Sequence, residues 1–155
     1  FFGEGAETFN IRWLSGYVKE RSNTPFGGLP IETAGTLNNP DLTSVITTSY
    51  GIGPWNFQVQ GRFVNDSVQN ITWVEGVDVD DNTRSSMTWW NTRLGYNGEF
   101  SNGSTYNVSL NVQNIFDREP PVVPGFSDFS GGGQTISNTY DIYGRRYNLN
   151  FSYSF

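Results

Sequence analysis

Apolar and polar residues alternate almost without interruption over residues 143–155, the thirteen positions that end the chain. In an extended backbone Tyr143, Tyr147, Leu149, Phe151, Tyr153 and Phe155 share one face, and Gly144, Arg146, Asn148, Asn150, Ser152 and Ser154 share the other. A soluble strand usually turns Val, Ile and Leu inward and charges outward. Here one face is aromatic-rich and the opposite face carries Asn and Ser, which suits lipid on one side and water on the other. Thirteen residues at about 3.3 Å each, tilted near 45°, rise about 30 Å, enough to cross a bilayer.

The same period of two recurs upstream and predicts five further strands. Residues 7–18 set Phe9, Ile11, Trp13 and Tyr17 against Asn10 and Arg12. Residues 43–50 alternate less cleanly, with Ile46, Thr48 and Tyr50 on the apolar side. Residues 55–64 oppose Trp55, Phe57, Val59 and Phe63 to Asn56, Gln58, Gln60 and Arg62. Residues 87–96 place Trp90, Leu94 and Tyr96 opposite Trp89, Asn91 and Arg93, and residues 105–115 place Tyr106, Val108, Leu110 and Val112 opposite Asn107, Ser109, Asn111 and Gln113.

Connection lengths give these strands a direction. Segments 51–54 and 97–104 are short, whereas 19–42, 65–86 and 117–141 each exceed twenty residues, longer than compact soluble domains usually tolerate. Outer-membrane barrels of bacteria join their strands by short periplasmic turns and long extracellular loops. The predicted fold is therefore all-β, a transmembrane antiparallel β-barrel with its long loops extracellular and its C-terminus periplasmic. Six strands are too few to close such a barrel, because the smallest have about eight and an open edge in hydrocarbon leaves backbone groups unsatisfied. More chain is expected upstream, in keeping with a start at Phe1 that shows no Met and no signal-peptide pattern. The competing architecture is a soluble sandwich or jelly roll built from the same strands.

Composition agrees with this reading. Aromatic residues make up 16% of the chain, Gly numbers 18, and Cys and His are absent. Mean hydropathy is negative, as expected when the membrane signal occupies every second residue, and no apolar run approaches the ~18 residues of a spanning helix. A net charge of −6 argues against nucleic acid as a partner. Without Cys there is no disulfide framework or thiol chemistry, and without His or Cys the common nucleophilic triads are lacking, so no enzyme activity and no cofactor is expected.

The remaining candidate sites lie in the loops and on the polar face. Glu75, Asp78, Asp80 and Asp81 cluster in the second long segment; Asp78, Asp80 and Asp81 are loop candidates for an oxygen-ligated metal, but EF-hand spacing is lacking and a solvated acidic loop has the same composition. Trp89 is a candidate for stacking on a planar solute, with packing against another part of the protein as the structural alternative. Phe126 and Phe129, in the Gly-rich run of residues 125–133, are candidate substrate contacts of a mobile loop. The sequons at Asn65, Asn70, Asn102, Asn107 and Asn150 reflect an Asn- and Ser-rich polar face.

Two short motifs bear a family resemblance. The run Asn114-Ile115-Phe116-Asp117-Arg118-Glu119-Pro120-Pro121, followed by Gly144-Arg145-Arg146-Tyr147 and an aromatic C-terminus, resembles the end of TonB-dependent outer-membrane receptors. In that family the penultimate strand commonly closes with an Asn-Leu-Phe-Asp run and a proline pair, and the last strand opens on Gly-Arg; Ile115 stands here for the usual Leu. The close match covers the final third of the chain. Read physically, Asn114 and Asp117 bond nearby backbone where a strand gives way to loop, Pro120-Pro121 stops the ladder, and Gly144 permits a bend.

The resemblance implies that residues 1–155 are the C-terminal six strands of a 22-stranded barrel, whose N-terminal plug domain lies outside this segment. It implies active import of a scarce extracellular solute into the periplasm, driven by periplasmic TonB acting through the missing N-terminal region. Outer-membrane lipid and the barrel-assembly machinery are the other implied partners, the latter reading the C-terminal signal Phe151, Tyr153 and Phe155. The alternatives are a passive porin or adhesion barrel without a plug, and a soluble β module that binds carbohydrate.

Overall fold

The computed structural model describes residues 7–121 and 139–155. Six long strands form one antiparallel meander, β1 (Glu7–Tyr17), β4 (Leu42–Ile52), β5 (Trp55–Val64), β8 (Met87–Glu99), β9 (Thr105–Gln113) and β10 (Arg146–Ser154), in the order β1-β4-β5-β8-β9-β10. Two small hairpins, β2 (Ser22–Asn23) with β3 (Ile31–Glu32) and β6 (Ser67–Val68) with β7 (Thr83–Arg84), lie within the first and second long connections. No helix among the described residues is long and apolar enough to cross a membrane.

Register turns the period of two into two chemically distinct surfaces. Directly opposed residues of antiparallel strands project to the same side. Phe9, Tyr50, Phe57, Leu94, Leu110 and Leu149 are paired in sequence across all six strands, forming one continuous apolar row. One residue along, Asn10, Ser49, Gln58, Arg93, Asn111 and Asn148 form a polar row on the opposite side. A slip by one residue in any pair would set an apolar row into the polar face, so the patterning itself specifies the register.

The apolar face is uncovered. Phe57 is 44% exposed, Leu94 38% and Leu110 40%, although these three lie in the middle strands. Aromatic rings gather at the end of the sheet that carries the short turns: Trp55 meets Tyr96 at 4.8 Å and Phe100 meets Tyr106 at 4.8 Å between centroids, and Tyr153 links Phe100 to Phe155. Towards the other end Trp13 and Trp90 share a row with Ile46 and Gly61. The Trp90 ring lies over Gly61, where an added Cβ would come within 2.7 Å of it, and the Tyr106 ring covers Gly98 in the same manner. Each aromatic shields the backbone of its glycine partner, a pairing that offsets the poor strand propensity of glycine.

Turn chemistry explains where the strands stop. Gly53 and Pro54 join β4 to β5, with Gly53 at φ 52°. Residues 100–104 join β8 to β9, where Gly103 takes φ 84° and Asn102 Oδ1 accepts from the Ser104 amide at 3.1 Å. β4 and β8 extend beyond their expected ends because both continue pairing up to these tight turns. β9 stops at Gln113, two residues earlier than expected, since Asn114 turns into the left-handed region at φ 50°. β10 begins at Arg146 and not at Tyr143, because Gly144 bends the chain at φ 68°. The last strand therefore pairs over nine residues, about 30 Å of extended chain and roughly 20 Å of height at a 45° tilt.

All three long connections leave the same end of the meander and pack on one another. Leu37, from the first, donates its amide to Val68 O at 3.1 Å, and Val68, from the second, donates its own to Gly35 O at 2.9 Å. Thr139 Oγ1, from the third, reaches Leu37 O at 3.4 Å. Leu37, Val64, Met87, Trp89 and Tyr140 make the buried apolar cluster among the described residues, so the core sits where the loops meet the sheet.

Candidate functional site

The polar face is a ladder of amides and guanidinium groups. Gln60 Nε2 donates to Thr47 Oγ1 and Asn91 Nδ2 donates to Gln60 Oε1, each at 3.3 Å, while Asn91 Oδ1 accepts from the Asn114 amide at 2.9 Å. Thr92 Oγ1 donates across the sheet to Gln58 O at 3.0 Å. Gln58, Gln60, Asn91, Arg93, Asn111, Gln113, Asn148 and Asn150 line an open recess of about 440 Å³ on this face. Such a surface can hydrogen-bond a polar solute at many points.

Among the described residues the polar face of the sheet is net cationic, while the connections, which also carry Lys19, Arg21, Arg84, Arg118 and Arg145, are net acidic. Arg12, Arg62, Arg93 and Arg146 all fall on the polar face of the long strands, against Glu99 as the acid there, whereas Asp41, Asp66, Glu75, Asp78, Asp80, Asp81 and Asp117 lie in the connections. The net charge of −6 thus conceals a cationic wall beneath acidic loops. A recess of about 250 Å³ opens where the two meet, lined by Arg62, Trp89, Asn91, Gln113, Thr139, Tyr140, Asp141, Tyr143 and Arg146.

The two family-like motifs dock on each other beside that recess. Asn114 is fully buried, and its side chain grips one backbone unit twice, Nδ2 donating to Arg118 O at 3.0 Å and Oδ1 accepting from the Arg118 amide at 2.9 Å. Asp117, also left-handed at φ 52°, accepts the Arg145 amide at 2.7 Å through Oδ1. The Arg145 guanidinium donates to Ile115 O at 3.2 Å and lies 3.6 Å from Asp117 Oδ2. A Cβ on Gly144 would meet Asp117 Oδ1 at 3.0 Å, so glycine serves both the bend and the close approach. Arg146, the next residue, pairs with Asp141 at 2.9 Å. Both arginines therefore engage loop carboxylates.

The individual candidate residues have the following surroundings. Trp89 is 2% exposed, with Tyr140 at 6.3 Å and the Arg62 guanidinium 5.2 Å above its ring. Asp78 Oδ2 accepts the Val74 amide at 2.8 Å, Asp81 Oδ1 accepts the Thr83 amide at 2.9 Å, and Asp81 also pairs with Arg84 at 3.0 Å; these bonds shape the loop. Asp80 is exposed, and no group of three or more His, Cys, Asp or Glu side chains able to hold a metal ion occurs among the described residues. Phe126 and Phe129 lie outside the described residues. Phe151 and Tyr153 project from β10 on the apolar face, and Phe155 follows the strand fully exposed.

Sequence reasoning passed over Tyr140, Arg62 and Arg93 as site residues. The signal for the arginines was present: each recurs on the Asn- and Gln-bearing side of its strand. Tyr140 gave none, since it stands in a loop and its position depends on how three distant connections pack. Elsewhere in the loops, Glu32 Oε1 accepts the amides of Arg21, Thr33 and Ala34 at 2.7, 2.9 and 2.8 Å. The Ala34 amide above all, then that of Arg21, holds its carboxyl below the ordinary carboxylate value.

Comparison of the chain with protein-family models, with curated proteins and with solved structures returns no match.

Proposed function

We propose that this chain forms part of the wall of a TonB-dependent outer-membrane transporter, a plugged barrel that binds a scarce solute outside the cell and imports it into the periplasm. The observation that carries the membrane part is the apolar face, exposed across all six long strands while the opposite face is polar. In water a surface of that extent would drive association; against hydrocarbon it is the favourable state. An aromatic row at the short-turn end and tryptophans towards the other support the same placement, in the manner of the aromatic girdles of such barrels. Long loops would then be extracellular and the short turns periplasmic.

The import part rests on the resemblance of two motifs, and their mutual docking supports it. Residues 114–118 and 144–145, separated by more than twenty-five positions in sequence, are held together by Asp117 and the Arg145 backbone. A pair of motifs that maintain one joint is a more specific signal than either run alone. The joint fixes where the last loop leaves and re-enters the wall, immediately beside the polar recess. No catalytic role is proposed for any residue.

The test is solute uptake by the full-length protein in cells with and without TonB, using a defined mixture of ferric siderophores, cobalamin, oligosaccharides and peptides and reading the periplasmic extract by mass spectrometry. The proposal predicts at least one component that accumulates only when TonB is present. Equal accumulation with and without TonB would identify a passive barrel. Recovery of the intact protein in the soluble fraction without detergent would favour a soluble carbohydrate-binding module.

A further inference from the structure

The recess between the third loop and the polar face has more hydrogen-bond donors than acceptors. Tyr140 is 3% exposed, yet its hydroxyl and the buried Nε of Arg146 have no hydrogen-bond partner among the described residues. Both residues line the 250 Å³ recess. Leaving a buried donor unsatisfied is costly, and native structures usually meet such a donor with a bound water, ion or ligand. Arg62 enters the same recess from β5 and pairs with no carboxylate among the described residues.

The one acid in the recess is already engaged. Asp141 accepts from Arg146 Nη2 at 2.9 Å and from the Tyr143 amide at 3.0 Å, so its charge is met from within the protein. What remains is the positive charge of Arg62 and two buried donors, the Arg146 Nε–H and the Tyr140 hydroxyl, on residues that all line one small volume. Arg62 and Arg146 lie three strands apart and two residues out of register, roughly 16 Å between backbones, a gap that two arginine side chains reaching inward can span around a single small group. Trp89 floors the recess and excludes water on that side, which strengthens any charged hydrogen bond made there.

From this arrangement we infer that the recess is an oxyanion subsite, taking a carboxylate or phosphate group of a polar solute through Arg62, Arg146 and Tyr140. Asn91 and Gln113 line both this recess and the larger 440 Å³ one, so the rest of such a solute would extend along the amide ladder. The acidic loops repel anions generally, which leaves the subsite to select those that also satisfy the ladder. The inference deepens the transport reading by naming the chemistry of the solute, and it depends on that reading only for the direction in which the solute travels.

Isothermal titration of the purified full-length protein in detergent with citrate, and separately with inorganic phosphate, tests it. At least one anion binds the wild type, and binding weakens ten-fold or more in Arg62→Gln and in Tyr140→Phe while Arg12→Gln, on the same face but bordering neither recess, is unchanged. Citrate alone binding assigns a carboxylate; phosphate alone assigns a phosphate. Tyr140→Phe is the stricter variant, because it keeps the ring against Trp89 and removes a hydroxyl that makes no bond among the described residues; were the tyrosine purely structural, the variant would bind anions as before. Failure of both anions to bind the folded wild type, or binding indifferent to both substitutions, overturns the subsite. If neither anion binds while another solute enters in a TonB-dependent way, the subsite falls and the transport reading stands; anion binding with TonB-independent uptake gives the reverse.

Discussion

Replacing Asn114 with alanine removes three things at once, and the structure sets the size of each. The side chain makes two hydrogen bonds to the Arg118 backbone, at 3.0 and 2.9 Å, in a fully buried position. At roughly 0.5–1.5 kcal/mol apiece, their loss amounts to about 1–3 kcal/mol. The residue also holds φ 50°, which asparagine tolerates and alanine adopts only at a cost of about 1 kcal/mol. Asn114→Ala should therefore lower the local opening free energy by about 2–4 kcal/mol, a fall in amide protection of roughly 30- to 900-fold. Asn114→Gly loses the same two bonds but not the backbone preference, so its protection should exceed that of the alanine variant by about five-fold. Hydrogen–deuterium exchange of the full-length protein in liposomes, read at residues 113–119 and 144–147, measures both. Equal protection in the alanine and glycine variants would refute the backbone contribution, and wild-type protection in both would refute the clasp itself.

Three further outcomes follow from the same geometry. Gly98→Ala drives a methyl into the Tyr106 ring and Gly61→Ala brings one within 2.7 Å of Trp90, so each should destabilise the folded protein by about 1–3 kcal/mol in urea titration, whereas Gly95→Ala, with its nearest neighbour 3.7 Å away, should be tolerated far better. Because the Glu32 carboxyl is held below its ordinary value, it stabilises the β2–β3 hairpin above the unfolded-state value and loses that contribution as pH falls through the lowered one; the protection factors of the Ala34 and Thr33 amides, taken against the intrinsic exchange rate at each pH, should fall under acid conditions in the wild type and already be low near neutrality in Glu32→Ala. Phe155 projects beyond β10 with only a tilted contact to Tyr153, so its deletion should reduce the fraction of protein assembled, seen as heat-modifiable electrophoretic mobility, while leaving the urea midpoint of the assembled fraction unchanged.

The alternation made the sheet legible. Residues 55–64 read as a strand from Trp55, Phe57 and Val59 opposing Asn56, Gln58 and Gln60, and β5 has those same bounds. Period two is a property of the extended backbone and needs no tertiary information. Strand ends were harder. β9 stops at Gln113, before Asn114, and β10 waits for Arg146 because left-handed residues and the Asp117 clasp intervene, and these depend on contacts between positions almost thirty residues apart. Residues 42–52 show weak alternation, yet they pair along their full length because Thr, Val and Ile suit a pleated surface between two well-marked neighbours. The site was least legible: Trp89 was visible as an aromatic on the polar face, but the burial that encloses it comes from Leu37 and Tyr140, carried there by separate loops. The charge of the face was hidden by the acidic total.

The membrane reading of this chain depends on one face of the sheet meeting lipid and the other meeting water. Spin labels on single cysteines at positions 107 to 112 of β9, placed in the full-length protein in liposomes, test that directly by their accessibility to dissolved oxygen and to a water-soluble nickel chelate. Labels replacing Val108, Leu110 and Val112 should be relaxed by oxygen, which concentrates in the bilayer, and those replacing Asn107, Ser109 and Asn111 by the chelate. Accessibility to the chelate at all six positions, with no period of two, would contradict the membrane wall.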